Sequence, residues 1–260
     1  MINGFEKETH ELNECEAKTV NTSNAKNMIK IENVRTYEKS KKKTLVIAPH
    51  ADDEVLGCFG YIDKEAKAGN IVDVIIMAVG SYESYGGTNT PAEDKIEEIK
   101  SVQAFIGVRN VTIFSDKESK LDTIPQSEIV AFFDEVLKEE YDTIFIPYPS
   151  RHIDHQVTYN TALASLRLKE SKKPETEVYL YEYPFIQNFD NIQGGAVYLE
   201  MSIDDVQRKT TCFYKYKSQV KKLPSPLNQQ GVSIFLAMRG IEAGLPYAEK
   251  YYLQTKIIFK

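Results

Sequence analysis

Short apolar runs alternate with amphipathic helical stretches along this chain, and the alternation limits the folds open to it. Buried strands are predicted over residues 44–48, 71–77, 111–114 and 143–147, with a further strand over 177–181. Between them, apolar residues recur at helical spacing. Strands separated by crossover helices are typical of parallel sheets. We therefore predict an α/β protein, a Rossmann-like three-layer sandwich with a mostly parallel central sheet.

The chain divides by composition into an N-terminal extension and one domain. Residues 1–27 are polar and offer little apolar surface to offset the entropy cost of ordering, so we predict a weakly ordered extension there. Residues 28–260 are predicted to form a single α/β domain, in which 28–38 form a short strand or an edge pairing. A helix is expected over Asp204–Val220, capped by Ser202 or Asp204, whereas 221–250 show no clear pattern.

Charge and cysteine content exclude several classes of function. The 260 residues include 32 Lys and Arg against 38 Asp and Glu, a formal net charge of -6, which argues against a nucleic-acid partner. No apolar run reaches the ~20 residues of a transmembrane helix, and the N-terminal segment lacks the apolar region of a secretory signal. Three widely spaced cysteines indicate no disulfide framework, so we predict a cytoplasmic protein.

Three of the four histidines lie in two short segments that follow predicted strands. His50 comes directly after the strand over 44–48, and His152 and His155 follow the strand that ends at Pro147. Ligands in open α/β sheets bind at the carboxyl ends of the strands. Since histidine is the commonest metal ligand and a proton-transfer group near neutral pH, the two segments predict an active site at this edge.

The residue types favour a catalytic metal centre. His50 and Asp53 can face one point from a strand-to-helix turn, and His155 can reach it from the other segment. Two imidazoles and one carboxylate leave a fourth position open, as in catalytic zinc sites. Non-haem iron uses a similar ligand set, so Zn²⁺ is the predicted cofactor with Fe²⁺ as an alternative.

The remaining polar residues of the two segments are candidates for proton transfer. Asp52 can accept a proton from a water on the metal, and His152 can donate to an oxyanion or a leaving amine. Asp154 can orient His152 by accepting a hydrogen bond from a nitrogen of the His152 ring. Each aspartate taken alone could be a helix N-cap, and each histidine an ordinary loop residue. Two such clusters at two strand ends are poorly explained by capping.

Both segments resemble the signature motifs of the PIG-L/LmbE-like family of zinc-dependent N-deacetylases. They read Pro-His-Ala-Asp-Asp-Glu at 49–54 and His-Ile-Asp-His at 152–155, and weaker similarity extends the resemblance over about 44–252. The resemblance implies His50, Asp53 and His155 as metal ligands. It also implies Asp52 as general base, His152 as general acid or oxyanion stabiliser, and Asp154 as the support of His152.

The same resemblance implies a substrate class. Members of the family remove the N-acetyl group from N-acetylglucosamine or its conjugates, so the expected partner is a small amino sugar or glycoconjugate, and a homo-oligomer is compatible with the sequence. Ala51 replaces the usual proline of the first motif. Lys95 stands where a sugar-contacting arginine is usual, and it lacks the bidentate fork of arginine. Asp116 and Arg151 are weaker candidates for substrate contacts.

Two other functions fit parts of the pattern. Aspartates at strand ends also hold Mg²⁺ in phosphoryl-transfer enzymes and phosphatases, but this chain has no glycine-rich phosphate loop and its clusters are rich in histidine. A catalytically inactive sugar-binding protein would be expected to have lost part of the site. In this chain, all the candidate catalytic residues are present.

Overall fold

The computed structural model of the chain describes residues 15–22, 25–33, 41–83, 89–167, 176–184 and 195–256. The strands in these ranges are β1 Cys15–Thr22, β2 Ala25–Asn33, β3 Lys43–Ala48, β4 Ile71–Ala78, β5 Tyr82–Glu83, β6 Asn89–Thr90, β7 Asn110–Ser115, β8 Thr143–Pro147, β9 Glu177–Tyr181, β10 Gly195–Glu200 and β11 Ala248–Thr255. The α-helices are α1 Asp53–Lys67, α2 Ala92–Ile106, α3 Gln126–Val136, α4 Ile153–Ser165, α5 Ile203–Phe213 and α6 Gln229–Ala243.

The main sheet is parallel in its centre and antiparallel at both edges. Its nine strands run in the order β1-β2-β7-β4-β3-β8-β9-β11-β10. The five strands from β7 to β9 are mutually parallel, whereas the outer pairings are antiparallel. Numbered along the chain, the parallel strands lie in the order 3-2-1-4-5. The order therefore reverses between β3 and β8, and such a reversal opens a crevice for ligands.

Helices cover both faces of this sheet, as the sequence predicts. On β3, Val46 and Ala48 pack in one core cluster with residues of α1, α2, α5 and α6. Leu45 and Ile47 point to the other face and pack with residues of α3 and α4. Because both faces of the central strands are buried, their sequences are continuously apolar rather than alternating.

Part of the N-terminal segment adds two strands to one edge of the sheet. β2 pairs antiparallel with β7 between residues 29 and 32, and Ile31 is fully buried there. The edge pairing predicted for 28–38 is therefore present over 28–33. β1, which belongs to the predicted extension, pairs with β2. Residues 1–14, 23–24 and 34–40 lie outside the described residues, and the division into extension and single domain stays a prediction.

The C-terminal third differs most from expectation. The helix predicted over Asp204–Val220 begins as expected, with Ser202 in a capping box with Asp205, but it ends at Phe213. Beyond it the chain turns inward and buries Tyr216. The sequence pattern predicts neither α6 nor strands β10 and β11. In the part of the chain that the structure describes, every helix is too short or too polar to cross a membrane.

Candidate active site

The turn between β3 and α1 has an unusual backbone at Asp52. Its φ is 132°, a region that residues with a side chain rarely adopt and that costs on the order of 1–3 kcal/mol. The Asp52 N–H donates to the Glu54 carboxylate at 3.2 Å, and its carbonyl accepts from the Leu56 N–H at 2.8 Å. Strain that is held in place in this way is characteristic of functional sites.

His50, Asp53 and His155 meet at the point where the strand order reverses. One carboxylate oxygen of Asp53, Oδ2, lies 3.5 Å from His50 Nδ1 and 3.4 Å from His155 Nε2. The same oxygen accepts the backbone N–H of His50 at 3.0 Å. The side chains of Asp53 and His155 are almost completely buried, and that of His50 is 17% exposed. The structure thus brings together the three residues that the sequence predicts as metal ligands.

Two atoms of this cluster fit a bound metal ion. Asp53 Oδ1 and His155 Nδ1 are buried and have no hydrogen-bond partner among the residues that the structure describes. Buried polar atoms nearly always have a partner, so these two indicate a missing ligand. One donor atom from each of His50, Asp53 and His155 can be chosen so that all lie within 4.8 Å of one another. Imidazole and carboxylate donors in this number suit Zn²⁺ or Fe²⁺.

The Asp154 carboxylate contacts His50, whereas the sequence analysis predicts that it supports His152. Its Oδ2 lies 2.9 Å from His50 Nε2 and accepts the Ser119 N–H at 2.7 Å, while its Oδ1 accepts the Leu121 N–H at 3.0 Å. The predicted bond from the Asp154 carboxylate to the His152 ring is absent among the described residues. Instead, His152 caps α4 by accepting the Asp154 backbone N–H at its Nδ1, 3.2 Å away.

The charges of the cluster shift the pKa values of His50 and Asp53 in opposite directions. Burial by itself would lower the pKa of His50, but hydrogen bonds and charges from Asp154 and Asp53 outweigh it and raise the pKa to about 10. Burial would raise the pKa of Asp53, yet the His155 ring and then the His50 ring hold it well below its usual range. In the absence of a metal, the cluster is therefore a histidinium paired with carboxylates.

Asp52 and His152 flank the cluster, and burial disfavours the charged form of each side chain. Burial, followed by repulsion from Asp53 and Glu54, raises the pKa of Asp52 well above its usual range. No hydrogen bond to the Asp52 carboxylate is present among the described residues. His152 is exposed, with its ring centroid 4.8 Å from that of His50. Partial burial and the charges of the other two histidines lower the pKa of His152.

The three predicted substrate contacts lie in different environments. Lys95 is buried, and its ammonium donates to both carboxylate oxygens of Glu118 at 2.7 Å. Glu118 also accepts the Gly80 N–H at 2.9 Å. Asp116, just after β7, and Arg151, just before α4, are both exposed. Lys95 is thus engaged in an internal ion pair, while Asp116 and Arg151 are accessible at the same edge of the sheet.

Glu118 and Tyr183 are site residues that the sequence analysis does not predict. Glu118 follows β7, and its charge contributes to the raised pKa of Asp52. Tyr183 follows β9, and its ring centroid lies 5.1 Å from that of His155. Both come after parallel strands, so the rule that ligands bind at carboxyl ends of strands could have found them. Neither belongs to a motif that singles it out.

Comparison with protein families matches residues 45–166 to a model described as PIG-L, GlcNAc-PI de-N-acetylase. The match runs from β3 to the end of α4 and includes both histidine segments. This part of the chain, the PIG-L segment, matches the model of the PIG-L family. The PIG-L segment supplies His50, Asp53 and His155, whereas Tyr183 lies beyond it. A comparison with curated proteins finds no match.

Solved structures with the same fold include enzymes of two kinds. N,N'-diacetylchitobiose deacetylase from Pyrococcus horikoshii has a TM-score of 0.68 at 21% identity, covering 83% of this chain and 85% of its own. The zinc-inhibited form of teicoplanin deacetylase Orf2 has a TM-score of 0.65 at 15% identity, covering 84% and 100%. GalB, the 4-carboxy-2-hydroxymuconate hydratase from Pseudomonas putida KT2440, has a TM-score of 0.67 at 14% identity, covering 84% and 98%. At these identities the similarity shows the fold alone, and the PIG-L segment shares that fold with a hydratase.

Proposed function

We propose that this protein is a zinc-dependent hydrolase that removes the N-acetyl group from a small substrate containing N-acetylglucosamine. The observation that carries the proposal is the buried cluster of His50, Asp53 and His155 beside the strained Asp52, with unpaired polar atoms on Asp53 and His155. The PIG-L match over both histidine segments supports it, as do the two deacetylases that share the fold.

His50, Asp53 and His155 would hold the metal. When bound there, Zn²⁺ supplies Lewis acidity to the amide carbonyl and to water. Asp154 contributes by fixing the His50 ring, and such partners of ligating histidines typically affect metal affinity 10–100-fold. Fe²⁺ fits the same donors, so zinc is the proposed metal and Fe²⁺ the alternative.

Asp52 and His152 divide the proton transfers between them in this proposal. Asp52 takes a proton as water attacks the amide carbon, and His152 donates a hydrogen bond to the oxygen that becomes negative. Asp52 or His152 then delivers a proton to the amide nitrogen, the carbon–nitrogen bond breaks, and acetate and a free amine are released. The exposed position of His152 beside the cluster suits a group that contacts substrate. Asp116 and Arg151 are proposed to contact the rest of the sugar.

The decisive experiment is acetate release by the purified protein. It would be loaded separately with Zn²⁺, Fe²⁺ and Mg²⁺ and incubated with free, UDP-linked and polymeric N-acetylglucosamine. We expect acetate and a new amine in equal amounts with one of the first two metals. Asp52→Asn should retain metal but lose at least 100-fold in turnover, about 3 kcal/mol in barrier.

Three outcomes would contradict the proposal. Phosphate release with Mg²⁺ would favour phosphoryl transfer, and sugar binding without acetate release would favour an inactive binding protein. Hydration of an unsaturated acid without acetate release would favour the chemistry named for GalB. Turnover near the wild-type value in Asp52→Asn would remove Asp52 from the role of base.

Two finer descriptions belong to the same proposal. The strand order 3-2-1-4-5 supports a Rossmann-like description of the central sheet. Cys58 and Cys212 are buried free thiols, which supports the cytoplasmic location proposed from the cysteine pattern.

A further inference from the structure

Tyr216 reaches the site from a distant part of the chain. It lies in the turns after α5, outside the segment 45–166 that matches the PIG-L family, and is 1% exposed. Its hydroxyl donates to Glu54 Oε1 at 2.5 Å. Glu54 lies in the first turn of α1 and is 2% exposed. A hydroxyl that donates to a carboxylate forms a charge-assisted hydrogen bond, which is stronger than a bond between neutral groups.

The other oxygen of Glu54 contacts the strained residue. Glu54 Oε2 accepts the Asp52 N–H at 3.2 Å. Tyr216, Glu54 and the Asp52 amide therefore form one continuous chain of hydrogen bonds that ends where φ is 132°. An amide in this unfavourable conformation needs an acceptor that is itself fixed, and the Tyr216 hydroxyl fixes this acceptor.

We propose that Tyr216 is a positioning residue that acts through Glu54 to hold the Asp52 backbone, and hence the carboxylate of the base, in its working place. This inference rests on the proposed function, because it takes Asp52 as the base. Among the described residues, the Tyr216 side chain forms no hydrogen bond or ring contact with His50, Asp53 or His155. Its contribution is the geometry of Asp52, which affects the chemical step more than substrate or metal binding.

Tyr251 provides a matched control within the same core cluster. It is 2% exposed, and its hydroxyl donates to a buried carboxylate, that of Glu249. Glu249 in turn accepts from Lys209 and from the Gly60 N–H. Lys209 also donates to the Leu56 carbonyl, so this network reaches α1, but none of its groups bonds directly to Asp52 or Glu54. Tyr216→Phe and Tyr251→Phe thus remove the same group from similar surroundings, but only the first removes it from the chain that ends at Asp52.

The first test compares these two variants after loading with zinc. We expect both to lower the thermal midpoint of unfolding by a few degrees, because each removes one hydrogen-bond donor from a buried carboxylate. Tyr216→Phe should also lower kcat about 10-fold, with KM within twofold and zinc affinity within threefold of the wild type. Tyr251→Phe should keep kcat within twofold. Equal kcat values in the two variants, or a loss of kcat that follows a loss of zinc, would overturn the proposal.

A double-mutant cycle tests whether Tyr216 acts through Glu54. In Glu54→Gln the amide oxygen can still accept from the Asp52 N–H, but the charge-assisted bond from Tyr216 is replaced by a weaker bond between neutral groups. We expect Tyr216→Phe to cost much less in the Glu54→Gln background than in the wild type. Full additivity of the two losses in kcat would mean that Tyr216 acts by another route.

Backbone hydrogen exchange separates this inference from the proposed activity. The peptide covering residues 50–56 should exchange faster in metal-free Tyr216→Phe than in metal-free Tyr251→Phe, since only the former loosens the acceptor of the Asp52 amide. If the wild type releases no acetate from any sugar, the proposed function fails, and this comparison alone decides on Tyr216. Equal exchange in the two variants would overturn the positioning role whatever the activity.

Discussion

The carboxylate of Asp154 is fully buried, and its two oxygens serve three donors. They bind the His50 ring and the backbone amides of Ser119 and Leu121. A ligating histidine commonly has such a carboxylate on its second ring nitrogen, where it fixes the orientation of the ring and raises its basicity. Asp154 therefore belongs functionally with His50, although 104 residues separate them.

Asp154→Asn is expected to weaken zinc binding. The amide cannot provide the charge that holds the His50 ring, so zinc affinity should fall about 10–100-fold in a chelator competition assay. His152→Ala is the comparison, because His152 is not among the three predicted ligands, and its zinc affinity should stay within about threefold. Unchanged zinc affinity in Asp154→Asn, with only turnover reduced, would restore the role in supporting His152 that the sequence predicts.

Zinc binding is expected to release a proton from His50. The pKa of His50 is about 10 in the metal-free protein, whereas a ligating imidazole must be neutral. The apparent zinc affinity should therefore rise about 10-fold per pH unit from pH 7 to 9 on account of this group. Titration calorimetry in buffers of different ionisation enthalpy measures the protons released. A value near zero at pH 7.5 would contradict the assigned charge state of His50.

The same pKa predicts how the stability of the metal-free protein depends on pH. The pKa of His50 is higher in the folded than in the unfolded protein, so its ion pairs stabilise the fold fully below the unfolded value of 6.5. This contribution should disappear as the pH rises from 6.5 through about 10. Urea unfolding of metal-free protein at pH 6.5, 8 and 9.5 measures it. His50→Gln is the control, and it should lack this decline.

At the scale of residues, the sequence marks the candidate ligands more clearly than the groups that contact them. His50, Asp53 and His155 stand out because histidines are few and follow strands. The hydrogen-bond acceptor of each histidine ring depends on which chain segments lie next to it in the folded protein. Ser119 and Leu121 bring a third segment against Asp154 through backbone amides, which every residue type except proline can supply. No side-chain pattern marks such a contact.

At the scale of elements, α1 packs against β9 through a close contact between Gly57 and Tyr181. The Tyr181 ring lies so near Gly57 that a β-carbon there would be 2.1 Å from Cδ2 of the ring. The Tyr181 hydroxyl donates to the Ile47 carbonyl at 2.9 Å, which fixes the ring from its other end. Because α1 begins in the turn with His50 and Asp53, this contact also sets the position of the site.

Gly57→Ala is expected to destabilise the protein by about 1–3 kcal/mol. The added methyl group meets a buried aromatic ring that cannot move without losing its hydrogen bond. Gly195→Ala is the matched control, since a β-carbon at Gly195 has no heavy atom within 4 Å, and it should stay within about 0.5 kcal/mol of the wild type. Urea unfolding measures both. Equal stability of the two variants would contradict the close packing of α1 on β9.

Burial explains which elements the sequence predicts. All eight residues of β4 are buried, so an apolar run that only Asp73 interrupts marks it. β10 is mostly exposed and has no such run. On α6, Ile234 and Ile241 are exposed while Leu236 is buried, so apolar residues on both sides obscure the helical period. Helix α5 ends early because Tyr216 turns inward to Glu54, a tertiary contact that helical spacing does not report.

At the scale of the whole molecule, the site joins segments that are far apart in sequence. The strand order reverses between β3 and β8, and the residues after these two strands supply the predicted ligands. The sequence predicts this arrangement because it follows from alternating strands and helices. Apart from the edge pairing over 28–38, it does not predict the antiparallel strands, because these come from segments without continuous apolar runs.

Metal binding should stabilise the whole fold, because the ligands meet only in the folded chain. At a free zinc concentration 100 times the Kd, the free energy of unfolding should rise by about 2.7 kcal/mol. Unfolding by urea with zinc and with a chelator measures the difference. Asp53→Ala removes the central ligand and should abolish the increase. An equal increase in Asp53→Ala would place the stabilising zinc elsewhere.

The position of Tyr216 beyond α4 has a consequence for recombination between relatives. A chimaera that joined residues 45–166 of this chain to the C-terminal part of another protein of this fold would inherit every predicted ligand intact. Its Glu54 side chain would meet a different residue in place of Tyr216. The hydrogen bond from Glu54 to the Asp52 amide, and with it the conformation of the turn before α1, would change. The chimaera would then bind metal with normal affinity but have a low kcat, because it lacks Tyr216, which lies outside both signature motifs.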